Sequence, residues 1–136
     1  MHSERPRSPV PRSLYSRAVH REGELLADVS NAIVGIFVEC YGRGPTKAKS
    51  YMFDNYLVTV LDDLLTTVET TLVANGKQNL VREVRVTFQE AVADRFKEAV
   101  TAVTGRKVLT YHSQVTFDPA RGFEIFVLEP EGGGES

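Results

Sequence analysis

The apolar positions of this chain follow two rhythms. Over residues 20–41 they recur every three or four residues, and Leu25, Leu26, Val29, Ile33, Ile36, Phe37 and Cys40 share one face of a helix. Val34 and Val38 widen that stripe beyond one face, which calls for a second cover that a partner chain can supply. Gly42 ends the helix where a left-handed residue commonly sits, and Pro45 prevents its resumption. The segments 49–53 and 56–61 are then rich in aromatic and β-branched residues, which fit a pleated surface. Asp54-Asn55 between them tolerates positive φ and suits a two-residue hairpin turn. One long strand bulged at Asp54 is the competing reading.

The helical rhythm returns at Thr66-Thr67-Val68-Glu69, a capping box in which Thr66 and Glu69 each satisfy the other's backbone amide. Leu65, Val68 and Leu72 give this second helix a short apolar face, and Asn75-Gly76 stops it. A third and longest helix spans 78–104, with a stripe of Leu80, Val84, Phe88, Ala91 or Val92, Phe96, Ala99 and Val103, and Gly105 as its stop. Residues 107–117 alternate as a strand, with Tyr111, Ser113 and Val115 on the side opposite His112 and Gln114. Residues 118–122 supply the turn, and 123–128 form a last strand with Glu124, Phe126 and Leu128 on one side. The order is helix, β-hairpin, two helices, β-hairpin: an α+β domain with an antiparallel four-stranded sheet packed on helices.

A length of 136 residues suits one domain, placed at 21–129. Residues 1–20, with Pro6, Pro9, Pro11 and a run of arginines, read as a disordered Arg/Pro-rich leader, and 130–136 as a disordered tail. A net charge of −2 argues against a generic nucleic-acid binder, whose affinity comes mostly from phosphate neutralisation. The start carries no apolar signal core, and the longest apolar run, 32–38, falls far short of the roughly 20 residues of a spanning helix. A cytoplasmic protein without a transmembrane segment is expected. The single cysteine, Cys40, excludes an intrachain disulfide.

Candidate chemistry centres on the loop 42–49. Gly42 and Gly44 free the backbone, Arg43 offers a planar fork for carboxylate or phosphate, and Lys47 and Lys49 add point charges. A nucleotide phosphate loop does not fit: Thr46-Lys47 reverses the required order, and this loop follows a helix where that one follows a strand. A tight corner with solvated charges stands against an anion or partner site. Arg82, Arg85 and Gln89 lie at helical spacing as a solvated face, as partners of Glu69, Glu83 or Glu90, or as a recognition stripe. The capping box accounts for Thr66 and Glu69 without catalysis. His112 has no histidine or cysteine spaced to share a metal, so no metal and no cofactor are expected.

Tyr41-Gly42-Arg43-Gly44-Pro45, Leu65-Thr66 with Glu69, Val81-Arg82 with Arg85, Thr104-Gly105-Arg106-Lys107-Val108 and Phe126-Val127-Leu128-Glu129 come in a characteristic order. Over 25–129 the series resembles the bacterial MpsC-like, or YbcI-like, family, a domain of unknown function. The resemblance implies association with a sodium-translocating, membrane-potential-generating system, whose other members are membrane proteins linked to cation movement and inorganic-carbon uptake. It implies no catalytic residues, and the Arg/Pro-rich leader is not typical of it. Two readings follow. One is a non-catalytic accessory or regulatory protein, a homodimer that binds a membrane transporter or an anion through Arg43, Lys47 and Lys49. The other is a small-molecule sensor or enzyme with a pocket between the sheet and the third helix, served by Arg43, Arg82, Arg85 and His112.

Overall fold

The computed structural model describes residues 12–131, in the order α1 (Arg12–Tyr41), β1 (Lys47–Phe53), β2 (Tyr56–Asp62), α2 (Thr67–Ala74), α3 (Gln78–Thr104), β3 (Val108–Phe117) and β4 (Ala120–Leu128). Helix α1 starts at Arg12 rather than near residue 20. Residues 16–20 within it are all exposed and lie outside the core. The rest of the leader and most of the tail lie outside the described residues.

The strands form one antiparallel sheet in the order β1-β2-β4-β3. Asp54-Asn55 makes the first turn, with Asp54 at φ 58°, so the bulged single strand is excluded. Asn55 also clamps the sheet's centre: its Nδ2 donates to the Leu128 carbonyl at 3.1 Å, and its carbonyl accepts from the Leu128 amide at 2.8 Å. The second hairpin turns on Asp118-Pro119 alone, because Phe117 already pairs with Ala120. Gly122 therefore sits inside β4 and not in the turn. Its role is close approach: a Cβ there would lie 2.7 Å from Leu64 Cδ1. A register shift between Val108 and Thr110 turns Val108 into the core and leaves Leu109 49% exposed.

Helices α1 and α3 pack together over one face of the sheet. Val29, Ile33 and Phe37 of α1, Leu57 and Leu61 of β2, Phe126 and Leu128 of β4, and Phe96 and Val100 of α3 make the core. A chain of buried hydroxyls seals α1 to the first hairpin, with Ser50 Oγ 2.8 Å from both Ser30 Oγ and Thr59 Oγ1. The second side of α1 is partly covered by the chain's own corner. A Cβ on Gly44 would meet Val38 Cγ2 at 2.9 Å and Val34 Cγ1 at 3.2 Å, so only glycine lets the corner lie this close. Among the described residues no helix covers the other face of the sheet, and Tyr51, Phe53 and Tyr56 are exposed there.

The capping box is present in full, with Glu69 N donating to Thr66 Oγ1 at 3.1 Å and Thr66 N to Glu69 Oε1 at 2.9 Å. Two apolar stripes need correction. Val68 is 69% exposed, and α2 rests on its neighbours through Leu72 and Val73. In the first half of α3, Leu80 and Val84 are exposed, and the inward positions are Val81 and Arg85. A buried arginine interrupts the apolar periodicity, so a reading by hydrophobicity slips one residue to the outward pair. From Val92 onward Phe96, Ala99 and Val103 do face the core, joined by Val100.

Candidate functional site

Below α3, between the C-terminal end of α1 and the inward side of β3 and β4, lies a cavity of about 260 Å³. Its walls are mostly apolar and include five aromatic rings. Phe37 and Phe96 meet at 5.4 Å between ring centroids, Phe96 and Tyr111 stack at 5.6 Å, and Tyr41 meets Phe88 edge-on at 5.0 Å. Val86, half exposed, and the exposed Arg82 and Gln114 stand where the cavity reaches the surface.

Two buried polar clusters enter this apolar space. The first is Arg85, 6% exposed, with Glu69 of α2. Arg85 Nε donates to Glu69 Oε2 at 2.8 Å, and its Nη2 donates to Glu69 Oε1 at 2.7 Å and to the Leu64 carbonyl at 3.0 Å. The guanidinium also sits 4.2 Å from the Tyr41 ring centroid, a favourable cation–π distance. Burial pushes the Glu69 carboxyl upward, but hydrogen bonds from Arg85 and Thr66 and the Arg85 charge outweigh it, so its pKa falls below the ordinary value. Glu69 thus serves the capping box and the buried ion pair at once.

The second cluster is Glu124 in the centre of β4, 2% exposed. Tyr111 donates its hydroxyl to Glu124 Oε1, and Ser113 Oγ donates to Oε2 at 2.7 Å. Burial raises the Glu124 pKa to about 7, against the opposing pull of those two hydrogen bonds and of the more distant Arg85 charge. The same burial raises Tyr41 to about 12 and pushes Tyr111 well upward, the Glu124 carboxylate adding to the latter. Glu69 and Arg85 neutralise each other, and among the described residues ionised Glu124 has no ion-pair partner of its own.

The residues singled out from sequence divide between places. Arg82 and Arg85 both line the cavity, with Gln89. Arg82 stacks 4.9 Å over the Phe117 ring and donates to Asn79. Arg43 is elsewhere: its Nη1 donates to the Leu65 carbonyl at 2.5 Å, and its Nη2 to the Asp63 carbonyl at 3.0 Å. Lys47 and Lys49 are exposed on the outward side of β1, Lys49 5.6 Å from the Tyr51 ring. His112 is exposed on the outward side of β3, opposite Ile125. Gly42, at φ 80°, closes α1 by donating to the Val38 carbonyl at 3.0 Å, and Gly105, at φ 73°, does the same for α3 through Thr101 at 2.8 Å. Among the described residues no three histidine, cysteine or acidic side chains gather as metal ligands.

Glu124, Tyr111 and Ser113 were not singled out as functional, although a signal was present. Gly122, Glu124, Phe126 and Leu128 alternate, so a carboxylate shares a strand side with two large apolar residues. Only the choice of covered side was missing.

The fold and the site together define a small α+β domain whose helices and sheet enclose one aromatic-walled cavity with buried charges. The chain belongs to the family described as Na+-translocating membrane potential-generating system (MpsC), which it matches over residues 21–130. No curated protein and no solved structure matches the chain. Among the described residues no helix is long and apolar enough to cross a membrane.

Proposed function

We propose that this protein is a non-catalytic accessory or regulatory component of the sodium-translocating system its family is named for, and that it acts by binding a small molecule in the cavity beneath α3. The observation that carries this reading is a mostly apolar cavity of about 260 Å³ into which a 2%-exposed carboxylate is built. A glutamate buried for packing alone costs stability without return, whereas apolar walls with a few fixed polar groups are what ligand sites are made of. Glu124 is the polar anchor of this reading, Arg82 and Arg85 line the same cavity, and Arg43 holds the corner. The protein works in the cytoplasm, where such a ligand reports a metabolic state to the membrane system. The test is native mass spectrometry of protein purified gently from its own cells, with a Val86→Trp variant that caps the cavity. Wild type retains a small molecule and the variant does not. Retention by neither, with no thermal stabilisation by any member of a metabolite set, overturns the reading.

A second observation favours self-association. On the uncovered sheet face, Tyr51, Val58, Ile125 and His112 form one rank, and Phe53, Tyr56, Val127 and Thr110 the next. Such an apolar surface is covered in the working state, and the occupant of this reading is a second copy. About a two-fold axis along the strands, β1 with Lys47 and Lys49 lies over the partner's uncharged β3 positions Thr116 and Gln114, so like charges stay apart. Sedimentation velocity gives a dimer, and Val58→Lys a monomer of unchanged fold. A wild-type monomer across the micromolar range rejects it.

A further inference from the structure

The cavity's chemistry names a ligand class, on the reading that the cavity is a ligand site. Two buried charged side chains line it, Arg85 and Glu124, and a third, Glu69, is paired with Arg85. Arg85 is bound bidentately to Glu69, and no cation lies within ion-pair distance of Glu124 among the described residues. Arg82 is turned to Asn79 and the Phe117 ring. Each Glu124 oxygen accepts one hydroxyl, from Tyr111 or Ser113, while an ionised carboxylate has about four acceptor sites. Acceptor capacity and one formal negative charge are therefore left in a space walled by the faces and edges of Phe37, Tyr41, Phe88, Phe96 and Tyr111. The face of an aromatic ring attracts a cation, and a carboxylate in an apolar surrounding binds a charged N–H donor strongly.

We infer that the cavity takes an organic amine, with the ammonium head hydrogen-bonded to Glu124 between Tyr111 and Ser113 and an apolar body against the aromatic walls. The size agrees with one ring and a short chain. A dry cavity of roughly 150 Å³ holds benzene, and this one is about 260 Å³. The amine supplies the positive charge that the buried cluster lacks, so binding replaces the proton that otherwise neutralises Glu124. The groups that bear on Glu124 are Tyr111 and Ser113 of β3, Arg85 of α3 and, from α1, Tyr41. Of these only Arg85 opposes an incoming cation, and its charge is already spent on Glu69.

The experiment compares phenethylamine, phenethyl alcohol and hydrocinnamate, which share a ring and differ in the head, by isothermal titration calorimetry on the full chain. The amine binds about tenfold or more tightly than the other two. Its affinity rises with pH through the range in which Glu124 ionises. Glu124→Gln removes the amine's advantage and leaves the alcohol's affinity in place. The comparison on wild type needs no variant, so a Glu124→Gln chain that fails to fold leaves the test intact. Equal affinities for the three heads, preference for the carboxylate at Arg85, or no binding of any of them at millimolar concentration overturns the amine assignment. The cavity reading is judged separately, by retention in wild type and its loss in Val86→Trp.

Discussion

Glu124 ties the stability of this domain to pH in a direction opposite to that of most carboxylates. Its folded-state pKa is raised from 4.5 to about 7, mainly by burial. The folded state thus holds a proton that the unfolded chain releases between those values. Since stability changes with pH as the difference in bound protons between unfolded and folded states, it falls as pH rises through this window. The contribution is fully present below 4.5 and is lost as pH passes 7. A shift of that size corresponds to roughly 3 kcal/mol, at about 1.4 kcal/mol per unit, and at 2% exposure solvent screens little of it. The assay is urea denaturation across mildly acidic to mildly alkaline pH, with Glu124→Gln as the reference that cannot titrate. Wild type loses stability relative to the variant over this range. Glu69, whose pKa is lowered, contributes in the opposite sense at lower pH: its stabilisation is lost as pH falls through that depressed pKa, so the two effects separate. A stability difference between wild type and variant that stays flat from mildly acid to mildly alkaline conditions refutes the argument.

Arg85→Met leaves Glu69 buried without its partner and costs about 3–5 kcal/mol. Adding Glu69→Gln, which keeps the cap, recovers part of this in chemical denaturation. Gly122→Ala drives a Cβ to within 2.7 Å of Leu64 Cδ1. It destabilises by about 1–3 kcal/mol, and combined with Leu64→Ala it costs less than the sum of the two single changes. Arg43→Ala costs about 1–2 kcal/mol through the carbonyls of Asp63 and Leu65, with little from the exposed Asp63 carboxylate. Lys47→Ala and Lys49→Ala stay within about 0.5 kcal/mol in the same assay, because both side chains are solvated.

What was legible in the sequence was whatever local chemistry decides. Thr66 and Glu69 announce a capping box, Asp54-Asn55 a tight turn, and Gly42 and Gly105 the helix ends, and each stands where its residue type requires. The order of elements followed, because the two rhythms of apolar residues change at these points. What escaped depends on partners distant in the chain. Arg85 reads as a surface residue until Glu69, Leu64 and the Tyr41 ring are known to surround it. Gly122 reads as a turn residue until Leu64 is seen to need the space of its side chain. Glu124 lies in a strand that alternates equally well either way, and only the packing of α1 and α3 selects the side that is buried. The cavity follows from that selection, and so does the separation of Arg43 and His112 from Arg82 and Arg85.

The carbonyls of Leu64 and Leu65 are neighbours in the chain, yet one is held by Arg85 and the other by Arg43. One peptide segment is gripped by guanidinium groups from two directions, one reaching out of the cavity wall and one from the corner after α1. The link before α2 is therefore pinned at two successive carbonyls, so the entry of α2 is set jointly by a side chain of α3 and by the corner that follows α1.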